Sequence, residues 1–449
     1  MVAPGAVAPG HLGELTRVVP FELVDCLVDD ARARERRLRL LPSRTGVYFL
    51  LAMCLFPRAG YLAVWGRLTA ALDGLGLAAP SAKALRDLRR RIGTAPVRAL
   101  FEVLAGPLGR PGTPGVMAGG YRTVSFDGCK TVKVPDTPAN RGWLGKMNAA
   151  LGVAGYPVIQ FMALVETGTR ALLGAAFGST ATSELDWARQ LLHLLDESML
   201  LLMDRGFDAG DFLAQVAGTG AQFLVRLNAS RRPPVLRYLP DGSFTSVIGG
   251  VKVRVIAAEV TVSCHDGTSY GGWYRLATTL LDHQRAPAAR LAALYHERWE
   301  SENGYAELKT RLRGAAFILR SRSPELTRQE LFAFLTVYQA LCALETDAAR
   351  QAGLDPDRIS FTVTVRVARD HAASHAIITP RSLDLARRQA ISDLLSDILP
   401  RRRDRHYERI RKQPKNNFPA MKQRQQRLPS RVSYKIKVTR KASSPAGTP

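Results

Sequence analysis

The sequence predicts an α/β protein: a mixed core interrupted by a β-rich insertion, preceded by an all-helical region and followed by a basic tail. Three observations predict it. Apolar runs of strand length alternate with helical patterns between Tyr121 and Leu227. Turns and short β-rich runs occupy Asn228 to Leu281. Helical periodicity fills residues 20–110 and returns from Pro287 through Arg350.

In chain order, Phe21–Arg34 has helical period, and Gly46–Phe56 reads as a buried helix of 11 residues. Ser81 caps a basic helix, AKALRDLRRRIG; a break at Gly93–Thr94 precedes a second helix, PVRALFEVLAG. A basic helix, a turn and an amphipathic helix can read DNA, with Arg86, Arg90 and Arg91 as contacts. The plainer alternative is a helical hairpin whose arginines, Arg89 among them, face water.

Arg110–Tyr121 is a Gly/Pro linker. YRTVSFDG, GYPVIQFMALVE, ALLGAAFG, SMLLLMD and AQFLVRL follow as strands, with TSELDWARQLLHLL and GDFLAQVAG as helices among them. KVRVIAAEVTV and WYRLATTL are the β runs of the insertion. ISFTVTVRV (359–367) alternates strictly and by period is a strand. The expected divisions are 1–112, helical; 113–227, first part of the core; 228–281, insertion; 282–398, completion of the core; and 399–449, tail.

The formal net charge is +24, from 63 Lys and Arg against 39 Asp and Glu in 449 residues. From Arg401 to Lys441 stand 16 Lys and Arg against Asp404 and Glu408, net +14, leaving +10 for the rest. Such a balance implies a polyanionic partner, nucleic acid or an anionic membrane. No apolar run approaches the roughly 20 residues of a membrane span, so nucleic acid is the better fit. Five scattered cysteines without CxxC spacing argue against a disulfide framework or a zinc site, and for a reducing cytoplasm. Phosphate-loop, dinucleotide, zincin and nucleophile-elbow motifs are all missing.

Carboxylates at strand ends carry the chemistry. Asp127 follows TVSF, and Asp204 closes SMLLLM. A carboxylate ending a buried strand is costly to desolvate unless it is paired or metal-bound. The plainer alternative is a turn former or helix cap, the role read for Asp208 and Asp211. Further on, Tyr295, Arg298, Glu302 and Lys309 fall within an arc of about 60° on one helix face. A carboxylate there can hold a metal while the cations hold phosphates. A solvated charge stripe would look similar.

YHERWESENGYAELK resembles the signature of bacterial insertion-sequence transposases of the insertion-sequence-four family, with Tyr295, Arg298, Glu302 and Lys309 at the family's spacing. VSFDG and LLMDRGF resemble its two aspartate blocks, and PFELVD, LPSRTGVYFLLAMCLF and KNNFPAMK also look like that group. The resemblance implies a ribonuclease-H-like core whose third acid follows a β-rich insertion. It implies Asp127, Asp204 and Glu302 as catalytic, metal-holding acids, with two Mg²⁺ ions expected and Mn²⁺ able to substitute. It implies DNA contacts by Tyr295, Arg298 and Lys309, and a flipped base stacked on Trp273, for which a core tryptophan is the alternative. The implied reaction is cut-and-paste transposition by phosphoryl transfer, with a hairpin intermediate common in the family. Partners would be the terminal inverted repeats, target DNA and a second copy of the chain, with no membrane, in the bacterial cytoplasm at the nucleoid. The alternative is a non-catalytic DNA-binding protein with a decayed core.

If the tail grips phosphates, removing residues from Arg401 onward weakens DNA binding broadly and flattens its dependence on salt. The slope should fall by about 0.9 for each phosphate that the tail neutralises. Filter binding at several salt concentrations reads this directly; an unchanged slope would show that the tail does not touch DNA.

Overall fold

The computed structural model describes residues 11–37, 39–70, 79–146, 148–149, 152–153, 155–264, 269–297, 312, 314, 317–374, 380–400 and 432–438. The chain divides into two compact units. One comprises Met1–Met203, Gln215–Gln222 and Glu297–Ile398; the other comprises Asp204–Ala214, Phe223–His296 and Leu399–Pro449. The N-terminal helices, expected as a domain of their own, thus share a unit with strands and with the C-terminal helices.

The first unit begins with α1 (Phe21–Asp30), α2 (Ser43–Leu55), α3 (Tyr61–Thr69), α4 (Ala82–Ile92) and α5 (Ala95–Leu104). The uniformly apolar stretch in α2 is buried on every side, as its sequence required. Gly46 lets α4 cross it closely, because a Cβ there would run into Ile92 and Leu88. Ser81 caps α4, its side chain accepting from Ala84 N–H at 3.1 Å. Gly93, at φ +69°, ends the helix with a backbone that favours glycine.

Strands β1 (Met117–Ala118) and β2 (Tyr121–Lys133) follow, then α6 (Pro138–Leu144) and the small pair β3 (Asn148–Ala149) and β4 (Gly152–Val153). β5 (Val158–Glu166), β6 (Leu172–Ser179), α7 (Glu184–Arg189) and β7 (Met199–Met203) complete this half. β2, β5 and β6 form an antiparallel meander, and β7 lies parallel to β2 on its other edge. This order fits the ribonuclease-H-like core that the resemblance implied. The helix expected over TSELDWARQLLHLL is shorter, with a 3-10 turn at Leu192–Leu194 in place of its second half.

In the second unit, α8 (Gly210–Gly218) is shared at its end with the first. β8 (Gln222–Arg226), β9 (Arg237–Tyr238), β10 (Phe244–Ile248), β11 (Val251–Cys264) and β12 (Ser269–Thr278) form an antiparallel sheet, in the order β8-β12-β11-β10-β9. α9 (Ala288–Glu297) follows.

The first unit resumes with α10 (Pro324–Gln351), α11 (Phe361–Ser374) and α12 (Pro380–Leu395). The strand expected at 359–367 is therefore helical from Phe361 on. Phe361, Thr364, Val365, Ala368 and Ala372 recur at helical spacing and are all buried, so tertiary packing overrides the β-branched alternation. β13 (Val432–Val438) lies within the region read from sequence as a basic tail, and it pairs with β11.

α10 organises the first unit. Ser323 caps it and Pro324 occupies its first turn. Unusually for a core helix, it buries Gln329, Glu330, Gln339 and Glu345. Gln329 donates to the Arg89 carbonyl at 2.9 Å and accepts from the Arg89 guanidinium at 3.2 Å. Glu330 accepts from the backbone N–H groups of Arg320 and Ser321. Gln339 donates to the carbonyls of Leu104 and Gly106 and accepts from Leu172 N–H at 2.8 Å. Glu345 takes Arg170 at 3.0 Å and the Thr364 hydroxyl at 2.9 Å. Arg170 sits at φ +63°, a strained position for a non-glycine residue that this buried ion pair holds in place.

Replacing Gln339 by Leu preserves bulk and raises apolarity, yet strips partners from three backbone groups. The expected loss is about 2–5 kcal/mol of unfolding free energy in urea titrations. A loss below about 1 kcal/mol would show that other groups satisfy them.

Candidate active site and DNA-binding face

The parallel ladder of β2 and β7 positions the first acid and leads into the second. Its pairs run from Arg122↔Met199 to Ser125↔Leu202. Asp127 stands two residues beyond the last pair on β2, opposite Ala163 of β5, and is half-buried. Asp204 stands two residues beyond Leu202, just past the end of β7, and is also half-buried. It caps the 3-10 turn Arg205–Phe207, with its Oδ1 accepting from Gly206 N–H at 2.7 Å. The capping role weighed against catalysis is therefore present at Asp204.

Arg298, Glu302 and Lys309 lie outside the described residues. The segments around them are fixed. Downstream, Ile318 bridges to Lys133 at the far end of β2, and Leu319 N–H donates to the Lys133 carbonyl at 3.0 Å. Upstream, α9 is set by a charge pair between a buried arginine and a half-buried aspartate. Arg254, fully buried on β11, lies 3.6 Å from Asp241 and donates to the Ala286 carbonyl. The Asp241 carboxylate accepts from Ala288 N–H at 3.1 Å, at the start of α9. Burial opposes the charge on Asp241, but Ser243, the Ala288 N–H and Arg254 together hold its carboxyl below the ordinary range.

Tyr295, on α9, is 4% exposed, so its ring is covered in this structure. Trp273 is 43% exposed on β12, which disfavours the core alternative. Arg86 and Arg90 are exposed on α4, with Arg90 also paired to Asp87 at 3.0 Å. Arg91 is committed to Glu35 at 3.1 Å and to the Leu41 carbonyl. Arg89, which the helical-hairpin alternative turned toward water, is buried and bonds to Tyr61 and Ser321.

The fold also assembles a feature that sequence reading missed. Asp208, taken for a turn former or cap, is buried; it accepts from Asn228 N–H at 2.7 Å and pairs with Arg231 at 2.6 Å. With Asn228, Ser230, Arg231, Arg232 and Gly249 it lines a cleft of about 390 Å³. Arg275 and Arg232 converge on the Ala229 carbonyl, at 2.8 and 2.6 Å. Burial, and after it the neighbouring Arg232, lowers the Arg275 pKa, with Asp208 opposing the shift. In the sequence the run RRPP signals only a turn; tertiary structure brings Arg275 onto it.

The model of the insertion element 4 transposase N-terminal region matches residues 9–102, and that of the transposase DDE domain matches residues 119–339. The transposase InsG for insertion sequence element IS4 of Escherichia coli (strain K12) is 28% identical over 415 residues, 89% of this chain and 92% of that protein. The chain belongs to the insertion-sequence-four family of DDE transposases. A putative transposase InsZ of the same organism is 28% identical over 198 residues, 43% of this chain and 64% of that protein. The cryo-EM structure of a piggyBac transposase synaptic complex with hairpin DNA aligns over 87% of this chain and 85% of that one, with a TM-score of 0.42 and 11% identity.

The transposase is thus a DDE-type enzyme acting on DNA, and domains of this kind use divalent metal ions. Among the described residues no three His, Cys, Asp or Glu gather as a metal-holding group, and the third expected acid lies outside them. The two acids that are described supply oxygen donors alone, which suits a hard divalent cation. No helix among the described residues is long and apolar enough to cross a membrane.

Replacing Asp241 by Ala uncaps α9 and strands the buried Arg254, with an expected loss of roughly 3 kcal/mol at neutral pH. Because the folded-state pKa of Asp241 is depressed, its contribution is present above the unfolded value and lost as pH falls through the folded one. Urea unfolding of parent and variant should therefore differ at pH 7, with the gap closing as pH drops below about 3.9. A gap that stays constant with pH would exclude this carboxylate as the anchor.

Proposed function

We propose that this transposase cleaves the ends of its own insertion element and joins them to target DNA, with Asp127, Asp204 and Glu302 as the catalytic acids. The observation that carries the reading is the parallel ladder, which ends two residues short of each aspartate and so gives them matching offsets on β2 and β7. Ligands of open α/β sheets gather at carboxyl ends such as that of β7. β2 runs on past Asp127 to Lys133, so on that strand the site lies beside the ladder's end rather than at the strand's end. The three carboxylates would hold two Mg²⁺ ions, or Mn²⁺ in their place. When bound, the ions lower the cost of charge on the attacking and leaving oxygens of an in-line displacement at phosphorus.

The chain's own residues supply the rest. Asp204, tied to Gly206 N–H, presents its carboxylate in a fixed orientation. Arg298 and Lys309 hold the scissile strand beside Glu302 through charge-assisted bonds to phosphate, and Tyr295 joins them when uncovered. Trp273 stacks on a base displaced from the end, which supports a hairpin route. Arg86 and Arg90 of α4, with Arg91 behind them, contact the terminal inverted repeat. Two copies of the chain act together on the paired ends.

Asp127→Asn, Asp204→Asn and Glu302→Gln should each cut cleavage of a plasmid carrying the element's ends by roughly a thousand-fold. Binding to end DNA should persist, and EDTA should mimic the variants on the parent enzyme. Undiminished nicking by any one of the three would remove that residue from the assignment.

A further inference from the structure

β11 is 14 residues long, and β10 covers only its first part, Val251 to Val255, on one edge. β12 lines the other edge from Arg254 to Ser263. With those two neighbours alone, Ala258 to Cys264 would present a bare edge of unpaired N–H and C=O groups. β13 fills it in seven antiparallel pairs, from Ala258↔Val438 to Cys264↔Val432.

The register sets chemistry on one face. Glu259 lies opposite Trp273 on β12 and opposite Lys437 on β13. Directly paired residues share a face, so Trp273, Glu259 and Lys437 form one row. Both ends of the row are exposed. At about 4.8 Å per strand, Lys437 stands about 10 Å from Trp273. On the other side, Arg275 shares the face two residues along β12, about 7 Å away, and leads to the arginine cleft. An aromatic ring open for stacking, with Arg275 along its strand and Lys437 across the sheet beyond Glu259, is the make-up of a single-strand platform.

We propose that β13 builds Lys437 into the DNA-binding face of the insertion, where it holds the phosphate of an unpaired strand whose base stacks on Trp273. The tail is then a structural part of end recognition rather than only a general grip. Between Pro400 and Val432 the sequence carries twelve Lys and Arg against Asp404 and Glu408, and Val432–Val438 pairs with the insertion. The occupant is an unpaired strand, because a base inside a duplex is stacked on both faces and the indole needs one free. The proposal rests on Trp273 being the residue on which a displaced base stacks.

The test uses the full chain with two probes, a blunt duplex oligonucleotide and the same duplex carrying three unpaired thymidines at one end. The parent should prefer the tailed probe. Trp273→Ala and Ile436→Pro should each abolish that preference, a loss of about tenfold, although Ile436→Pro keeps every charge and only disfavours the strand. Lys437→Ala should lower the salt slope on the tailed probe by about 0.7, and leave the blunt probe unchanged. Lys437 is an exposed side chain, so this variant reports even if Ile436→Pro disturbs the sheet. Loss of preference in Trp273→Ala, with parental preference and slope in Lys437→Ala and Ile436→Pro, would overturn the proposal and leave the Trp273 reading standing. Parental preference in Trp273→Ala would overturn both.

Discussion

Four polar side chains buried on one helix hold the first unit together. Gln329, Glu330, Gln339 and Glu345 of α10 each pin a different segment: the end of α4, the chain at Arg320 and Ser321, the end of α5 with the start of β6, and the β5–β6 turn. Apolar packing alone would let such segments slide, since dispersion and burial are nearly indifferent to direction. Hydrogen bonds from a low-dielectric interior are not indifferent, because an unmade one costs more than a made one returns. The helix thus fixes the register of everything around it, including the point where the chain returns beside β2.

Much of this architecture could be read from the chain. Strand patterns announced β2, β5, β6, β7 and β8, and the turn-rich stretch from Asn228 announced the insertion. Ser81 and Gly93 marked the ends of α4 because capping is local chemistry. What failed was non-local. The 359–367 stretch alternates like a strand, yet the surface awaiting it is a helix-packing surface. β13 was hidden because VSYKIKV sits amid basic residues, and a strand's partner is not written in its own sequence.

The site was legible to a different depth. The aspartates stood out because charged groups at the ends of apolar runs are expensive, and the signature stood out through its helical spacing. The arginine cleft did not, since Asp208 meets Asn228 and Arg231 only once the chain is folded. The Arg254–Asp241 pair was equally silent. Both residues look like ordinary surface charges in the sequence, but one is fully buried and together they aim α9.

The pairing of β11 with β13 also sets a timetable. Cys264 and Val432 are partners 168 residues apart, so β11 is made well before the strand that covers it. At about 5–20 residues per second, synthesis leaves that edge waiting for roughly ten to thirty seconds. The waiting stretch, Ala258 to Cys264, carries a single charge, Glu259. During that interval a second nascent chain could offer its own strand in place of the proper one. Expression conditions that slow elongation near the C-terminal region would lengthen this exposure, and crowded polysomes would raise the odds of exchange between neighbours.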